Sequence, residues 1–337
     1  MILSHTRKRL MAILLALTIV LLTPVLARRL SEWRQAAQES APVERQEPLF
    51  TQRTQSASDE LEVTLYYRYG ETAVLGMERH TFDLRREETV ARSIVEQLVA
   101  GPDSAHGRLS GVFPRDTQVL SVTAEGSTVY VTLSDDFLGR PDGAPEDWED
   151  LSDWQEEATL RRWLAVQSLV CSLTEGGRYQ RVQLYVARSD DDVPERIPLY
   201  WFDRDVRDRT VVLAACSRDE QVILTPQRAM QMILDGWQQR DEAAVYALLC
   251  ADEDGQMLTL SAFEAKMREA DVSLLTAEIS GGTIDATGRT ATIVLDGAIR
   301  SSDGGEARII RESVPLTLAG DNWAMRMSTF LSLVIRE

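Results

Sequence analysis

The chain has 337 residues, 44% hydrophobic and 26% charged, which is ordinary globular material and enough for two domains beyond an N-terminal segment. Its formal net charge of −17 repels nucleic acid and anionic lipid headgroups, so neither is expected as a partner. Cys171, Cys216 and Cys250 do not make a disulfide framework: Cys171 reads as a small core side chain on a helix, and a Cys216–Cys250 bridge stays open to an exported chain.

In chain order, Arg7-Lys8-Arg9 precede an apolar run from Leu10 to Ala27, broken only by Thr18, Thr23 and Pro24. A basic head before such a run marks an export signal or a signal-anchor helix. At 18 residues the run is at the short end of what spans a bilayer. Val25 and Ala27 also suit a signal peptidase, so cleavage is the alternative to anchoring within residues 1–30. No cysteine follows the run, which excludes a standard lipoprotein. The expectation is a single-pass protein of the cell membrane with its bulk extracytoplasmic, or a secreted one if the signal is cleaved. Residues 31–60, rich in Gln, Glu, Arg, Ser and Ala with Pro42 and Pro48, read as a polar tether.

The first domain, 61–190, opens with period-two alternation from Leu61 to Tyr67, a strand. A turn at Tyr69-Gly70 leads to a second extended segment, Met77 to Leu84. Glu87 and Glu88 open a helix whose Val90, Ile94 and Leu98 share one face, and Gly101-Pro102 stops it. Gln118 to Ala124 and Ser127 to Leu133 read as paired strands around Glu125-Gly126. A second helix, Glu156 to Thr174, turns Leu160, Trp163, Leu164, Leu169, Val170 and Leu173 inward. Gly176-Gly177 ends it, and Arg181 to Ala187 is the closing strand. Two helices over one face of a small sheet bury both stripes, an α+β module. Residues 191–224 connect. Ile197 to Phe202 is too apolar for a free linker, and Thr210 to Ala215 resembles a further strand.

The second domain, 225–337, starts where Thr225 can cap and Pro226 suits the first helical position. Ala229, Met230, Ile233, Leu234 and Trp237 form an apolar face. Arg240-Asp241 breaks the helix, and Glu242 to Cys250 makes a second, short one. Beyond Asp271 the period switches to two. Ser273 to Ile279, Thr290 to Ile299, Ala307 to Leu318 and Trp323 to Met327 read as antiparallel strands. Turns fall at Gly281-Gly282, Thr287-Gly288, Gly304-Gly305 and Gly320-Asp321.

From Leu98-Val99-Ala100-Gly101-Pro102 through Val129-Tyr130-Val131-Thr132-Leu133-Ser134 and Leu169 to Thr174, ending at Val182 to Val186, the wording resembles the GerMN domain of sporulation and germination proteins. The resemblance implies an exported protein of Gram-positive bacteria and a module used for assembly, with envelope or sporulation proteins as partners or with self-association. It carries over to Leu98, Gly101, Pro102, Leu133, Ser134, Phe137, Leu169, Leu173 and Thr174 as packing and turn residues. The family's namesake has two copies and a lipid-attachment cysteine; here one copy is recognisable and that cysteine is missing. After it, helices followed by a curved meander are similar to the NTF2-like (cystatin-like) α+β cone. Gln238-Gln239-Arg240-Asp241, Gly288 to Val294 and Asp321-Asn322-Trp323 carry that second resemblance.

No catalytic, cofactor or metal residues are assigned. His5, His80 and His106 lie at no metal-ligand spacing, and no HxxxH, CxxC, phosphate loop or GxSxG elbow occurs. His80 reads as a surface or packing residue. Ser134 and Ser168 have no histidine near them in sequence. Enzymes with the NTF2-like fold place an acid or a His–Asp pair in the cone, yet the second domain lacks histidine; Asp235 and Asp241 sit at helix ends facing solvent. The acidic stretch Asp135 to Glu157 lacks the EF-hand pattern and reads as a solvated loop rather than a calcium site. Within it Trp148 and Trp154 form a candidate interaction surface, or else fold back onto the core. The function expected is non-enzymatic assembly or recognition in the cell envelope, in sporulation or germination. The alternative is a sensor holding a small apolar ligand in the cone.

Overall fold

The computed structural model describes residues 60–83, 89–103, 107–301 and 307–335. The apolar run at 10–27, the tether up to residue 59, Glu87, Glu88, His5, His106 and Gly304-Gly305 lie outside them.

Strand β1 (Glu60–Tyr69) pairs antiparallel with β2 (Leu75–Asp83), in register from Glu60 opposite Asp83 to Arg68 opposite Leu75. Gly70, at φ +56°, makes the turn between them. The end of β1 also pairs with β3 (Leu109–Ser110), giving the order β2-β1-β3. Helix α1 (Val90–Ala100) starts at Thr89, whose side chain accepts from the Arg92 N–H. It stops at Gly101, at φ +97°.

A second sheet follows, of β4 (Val119–Glu125), β5 (Thr128–Ser134), β6 (Arg181–Ala187) and β7 (Glu195–Arg196). The first two form the expected hairpin. β5 and β6 are parallel, which requires a crossover, and helix α2 (Ser152–Thr174) supplies it. The single small sheet expected under two helices is therefore corrected to two sheets sharing one core. From Leu164 to Leu173 every residue of α2 is buried, as befits a helix covered on all sides. It begins four residues earlier than expected because its first turn is polar and shows no periodicity.

The connecting segment finishes this core: Ile197, Phe202, Leu213 and Ile223 are buried in it. Thr210 to Ala215 is not the expected strand. It makes only an isolated bridge, Val212 opposite Pro198.

In the second lobe, α3 (Pro226–Gln239) is capped by Thr225, and all five predicted face residues are buried. Arg240 adopts the left-handed conformation at φ +59°, and Asp241 then caps α4 (Glu242–Ala247). The helix expected to Cys250 stops short, since Leu249–Cys250 is a strand, β8. Helix α5 (Leu260–Ala270) was not anticipated: only Phe263 and Met267 are buried, too sparse a stripe to read.

Strands β9 (Val272–Ile284), β10 (Thr290–Ser301), β11 (Arg308–Ala319) and β12 (Asn322–Arg326) follow, in the order β8-β12-β11-β10-β9. Gly281-Gly282 is no turn. β9 runs on through a bulge there, with Gly281 at φ +154° and Gly282 so close that a Cβ would lie 2.6 Å from Ile293 Cδ1. Met327, expected on the last strand, instead opens α6 (Met327–Val334). Alternate residues of β10 and β11, among them Ile293, Leu295, Val314 and Leu316, face a core closed by Trp237, Phe263 and Phe330.

The two lobes form one unit. Tyr69 and Val74, at the tip of the first hairpin, belong to the second core. The Tyr69 hydroxyl donates to the Ala247 carbonyl at 2.9 Å, and the Leu224 N–H to the Leu75 carbonyl at 2.9 Å.

Candidate functional site

A cleft of about 680 Å³ opens in the first lobe between the end of α1, the segment before β4, the loop after β5 and one face of α2. Val99, Pro102, Phe113 and Phe137 form its apolar part, and Arg115, Arg161 and Arg162 its cationic part. Two of the three arginines are spoken for. Arg115 pairs with Asp142 at 3.0 Å, and Arg161 with Glu157 at 2.6 Å. Glu157 also pairs with the buried Arg68. Burial would raise the Glu157 carboxyl, but hydrogen bonds from Arg68 and Arg161 outweigh it and hold it below the usual range.

Arg162 differs. It is 6% exposed, with Trp201 at 4.6 Å and Trp148 at 5.6 Å from the guanidinium carbon. Its Nη2 donates to the carbonyls of Leu138, at 2.8 Å, and Gly139, at 3.2 Å. Burial lowers its pKa to about 10, against help from Glu149 and Tyr200, which leaves it a cation at neutral pH. Among the described residues no carboxylate stands within ion-pair distance of it. Thr117, also lining the cleft and 5% exposed, has a hydroxyl with no hydrogen-bond partner among the described residues.

The tryptophans are explained by the same arginines. Trp148 is buried, packed with Ala144 and Ala158, and Trp154 is half-buried beside it with Arg161 at 5.9 Å. Arg162 was not singled out in the sequence, although an arginine next to Trp163-Leu164-Ala165-Val166 on a helix was a readable signal.

The family model for Germane, described as sporulation and spore germination, matches residues 64–189. The chain carries a GerMN domain. Among solved structures, the tandem GerMN domains of the sporulation protein GerM from Bacillus subtilis share 16% identity over 49% of this chain and 46% of that one, with a TM-score of 0.31. The chain thus spans less than half of the tandem pair. The first GerMN domain of the same protein matches at 19% identity, over 47% of this chain and 96% of that one, with a TM-score of 0.26. A putative lipoprotein from Clostridium perfringens gives 14% identity, 39% and 76% coverage and a TM-score of 0.24. No curated protein matches.

Within the GerMN domain the carried-over positions are packing and turn residues. Leu98, Leu133, Phe137 and Leu169 are almost fully buried, and the Thr174 hydroxyl donates to the Val170 carbonyl at 2.6 Å. The Ser134 hydroxyl accepts from the Gln118 N–H, and that of Ser168 donates to the Tyr66 carbonyl. His80 packs on Phe82 at 4.7 Å and lies 3.6 Å from Glu78. Beyond the domain, Asp235 accepts from Gln231, and Asp241 is spent as a helix cap. The structure brings none of these together. Among the described residues there is no group of three His, Cys, Asp or Glu suited to a metal, and no helix long and apolar enough to cross a membrane. All three cysteines are free. The interior of the second lobe is occupied by its own rings, Trp237 against Phe330 at 5.5 Å and Phe263 against Phe330 at 5.7 Å.

Proposed function

We propose that this is a non-enzymatic recognition and assembly protein of the Gram-positive cell envelope, acting in sporulation or germination. In this reading residues 10–27 hold it at the membrane with its bulk outside, and its partners are envelope or sporulation proteins. The second lobe serves as an NTF2-like body, supported by helices α3 to α5 preceding an antiparallel meander. The observation that carries the reading is the family match over 64–189. The lobes' shared hairpin tip supports it, since a rigid body presents one fixed surface to a partner. Deleting the gene and counting heat-resistant, germination-competent spores tests it, together with affinity capture of the full-length chain from sporulating cells. Reduced spore yield or germination with reproducible envelope partners is expected. Normal spores and no enriched envelope protein would overturn it.

A further inference from the structure

A buried guanidinium that meets no carboxylate is uncommon, because the charge is costly to desolvate. Arg162 is held by two tryptophans and two carbonyls, which steady the cation without neutralising it. It lines the cleft beside Val99, Pro102, Phe113 and Phe137. The charged residues that line the cleft are Arg115, Arg161 and Arg162 against Glu96 and Asp142. This local excess of positive charge stands in a chain whose net charge is −17. Long-range repulsion keeps anions away from such a body, so an anion drawn here is selected by the cleft itself. The second feature is independent: Thr117, in the same wall, keeps a buried hydroxyl with no partner among the described residues. A buried hydroxyl left unpaired is destabilising unless something else makes use of it.

We propose that this cleft binds the C-terminal end of a peptide, its terminal carboxylate against Arg162 and its last, apolar side chain against Phe113 and Phe137. A guanidinium beside an apolar wall matches a carboxylate beside an apolar side chain, and the volume suits the last few residues of a chain. The inference deepens the recognition reading, resting on it only for the partner being a protein.

The test uses the full-length chain in detergent micelles and fluorescent hexapeptides ending in phenylalanine, read by anisotropy. One carries a free carboxylate, one is amidated, and one is amidated with a glutamate at its centre. The free acid is expected to bind at least tenfold more tightly than either amide. Arg162→Lys, which keeps the charge but loses the planar fork, should weaken binding at least tenfold. Thr117→Val should raise the thermal midpoint while weakening the free acid at least threefold. A merely structural hydroxyl would give the first effect without the second, so this variant decides even if Arg162→Lys does not fold. Equal binding of acid and amide, no binding of any peptide, glutamate binding as well as the free terminus, or affinity unmoved by Thr117→Val would each overturn the proposal. Spore phenotypes and envelope capture persisting alongside that failure would leave the broader function standing.

Discussion

Tyr66 and Met77 stand opposite each other across β1 and β2, and each has its backbone bonded by side chains from elsewhere in the chain. On one side the Ser172 hydroxyl accepts the Tyr66 N–H at 3.1 Å, and Ser168 donates to the Tyr66 carbonyl at 2.6 Å. On the other, the Asn322 carboxamide accepts the Met77 N–H at 2.7 Å and donates to the Met77 carbonyl at 2.9 Å. Backbone groups that a further strand would take are thus satisfied by a helix on one edge and by the second lobe on the other.

Asn322→Ala strands both Met77 groups and should cost about 2 kcal/mol. Gly76→Ala should cost a similar amount, about 1–3 kcal/mol, because its Cβ would come within 2.5 Å of Asn322 Oδ1 and 2.7 Å of Leu109 Cδ2. Denaturant midpoints for the two variants and their combination check this. Strictly additive losses would argue against a shared contact.

Ser168→Ala leaves the Tyr66 carbonyl buried with its partner gone, at a cost of roughly 1–3 kcal/mol. Ser172→Ala does the same to the N–H. Because the two serines are one helical turn apart on α2, hydrogen exchange at Tyr66 should rise sharply in the second variant. Unchanged protection there would show that α2 does not hold that edge.

The pH dependence runs in two windows. Burial pushes the Tyr66 hydroxyl, and likewise Tyr67, well above the ordinary 10.0, with Glu175 and Glu78 adding to it respectively. The folded state then keeps protons that the unfolded state releases, so this contribution is whole below pH 10 and declines as pH rises further. Glu157, held below the ordinary 4.5, behaves in the opposite sense: its contribution is present above that value and fades as pH falls through the depressed one. Unfolding midpoints measured from pH 3 to 11 should drop at both ends. Glu157→Gln should flatten the acid side, and a profile identical to the parent would refute the assignment.

Burial raises the Cys171 thiol to about 12 and that of Cys216 to about 11. With no disulfide present, reductant should leave the thermal midpoint where it is. A chromogenic thiol reagent at pH 8 should modify Cys171 only as the protein unfolds. Rapid reaction of all three thiols in the native state would contradict the packing around α2.

Much of this architecture was legible in the residues, unevenly so. The apolar face from Ala229 to Trp237 and the alternation in β10 and β11 were readable because each buries one side only. The centre of α2 was harder, being buried all round with no contrast between faces. Helix α5 escaped for the opposite reason, having two buried residues in eleven. Gly281-Gly282 misled because a bulge and a turn both favour glycine. The cleft was invisible, since Phe113, Thr117 and Arg162 converge only after the crossover sets α2 against the second sheet.

The bond from Arg218 to the Tyr66 hydroxyl, 2.9 Å long, joins residues separated by 152 positions. Arg218 also meets Glu175 and the Cys171 carbonyl, and Ile223 lies deeper still in the same cluster. Nascent β1 therefore waits for some of the last residues laid on its lobe, and loop closure over such a span is slow. A ribosome or translocon delivering this polypeptide from its N-terminus would hold the early hairpin unfinished, with Tyr66 and Tyr67 still wet, until two thirds of the molecule had emerged.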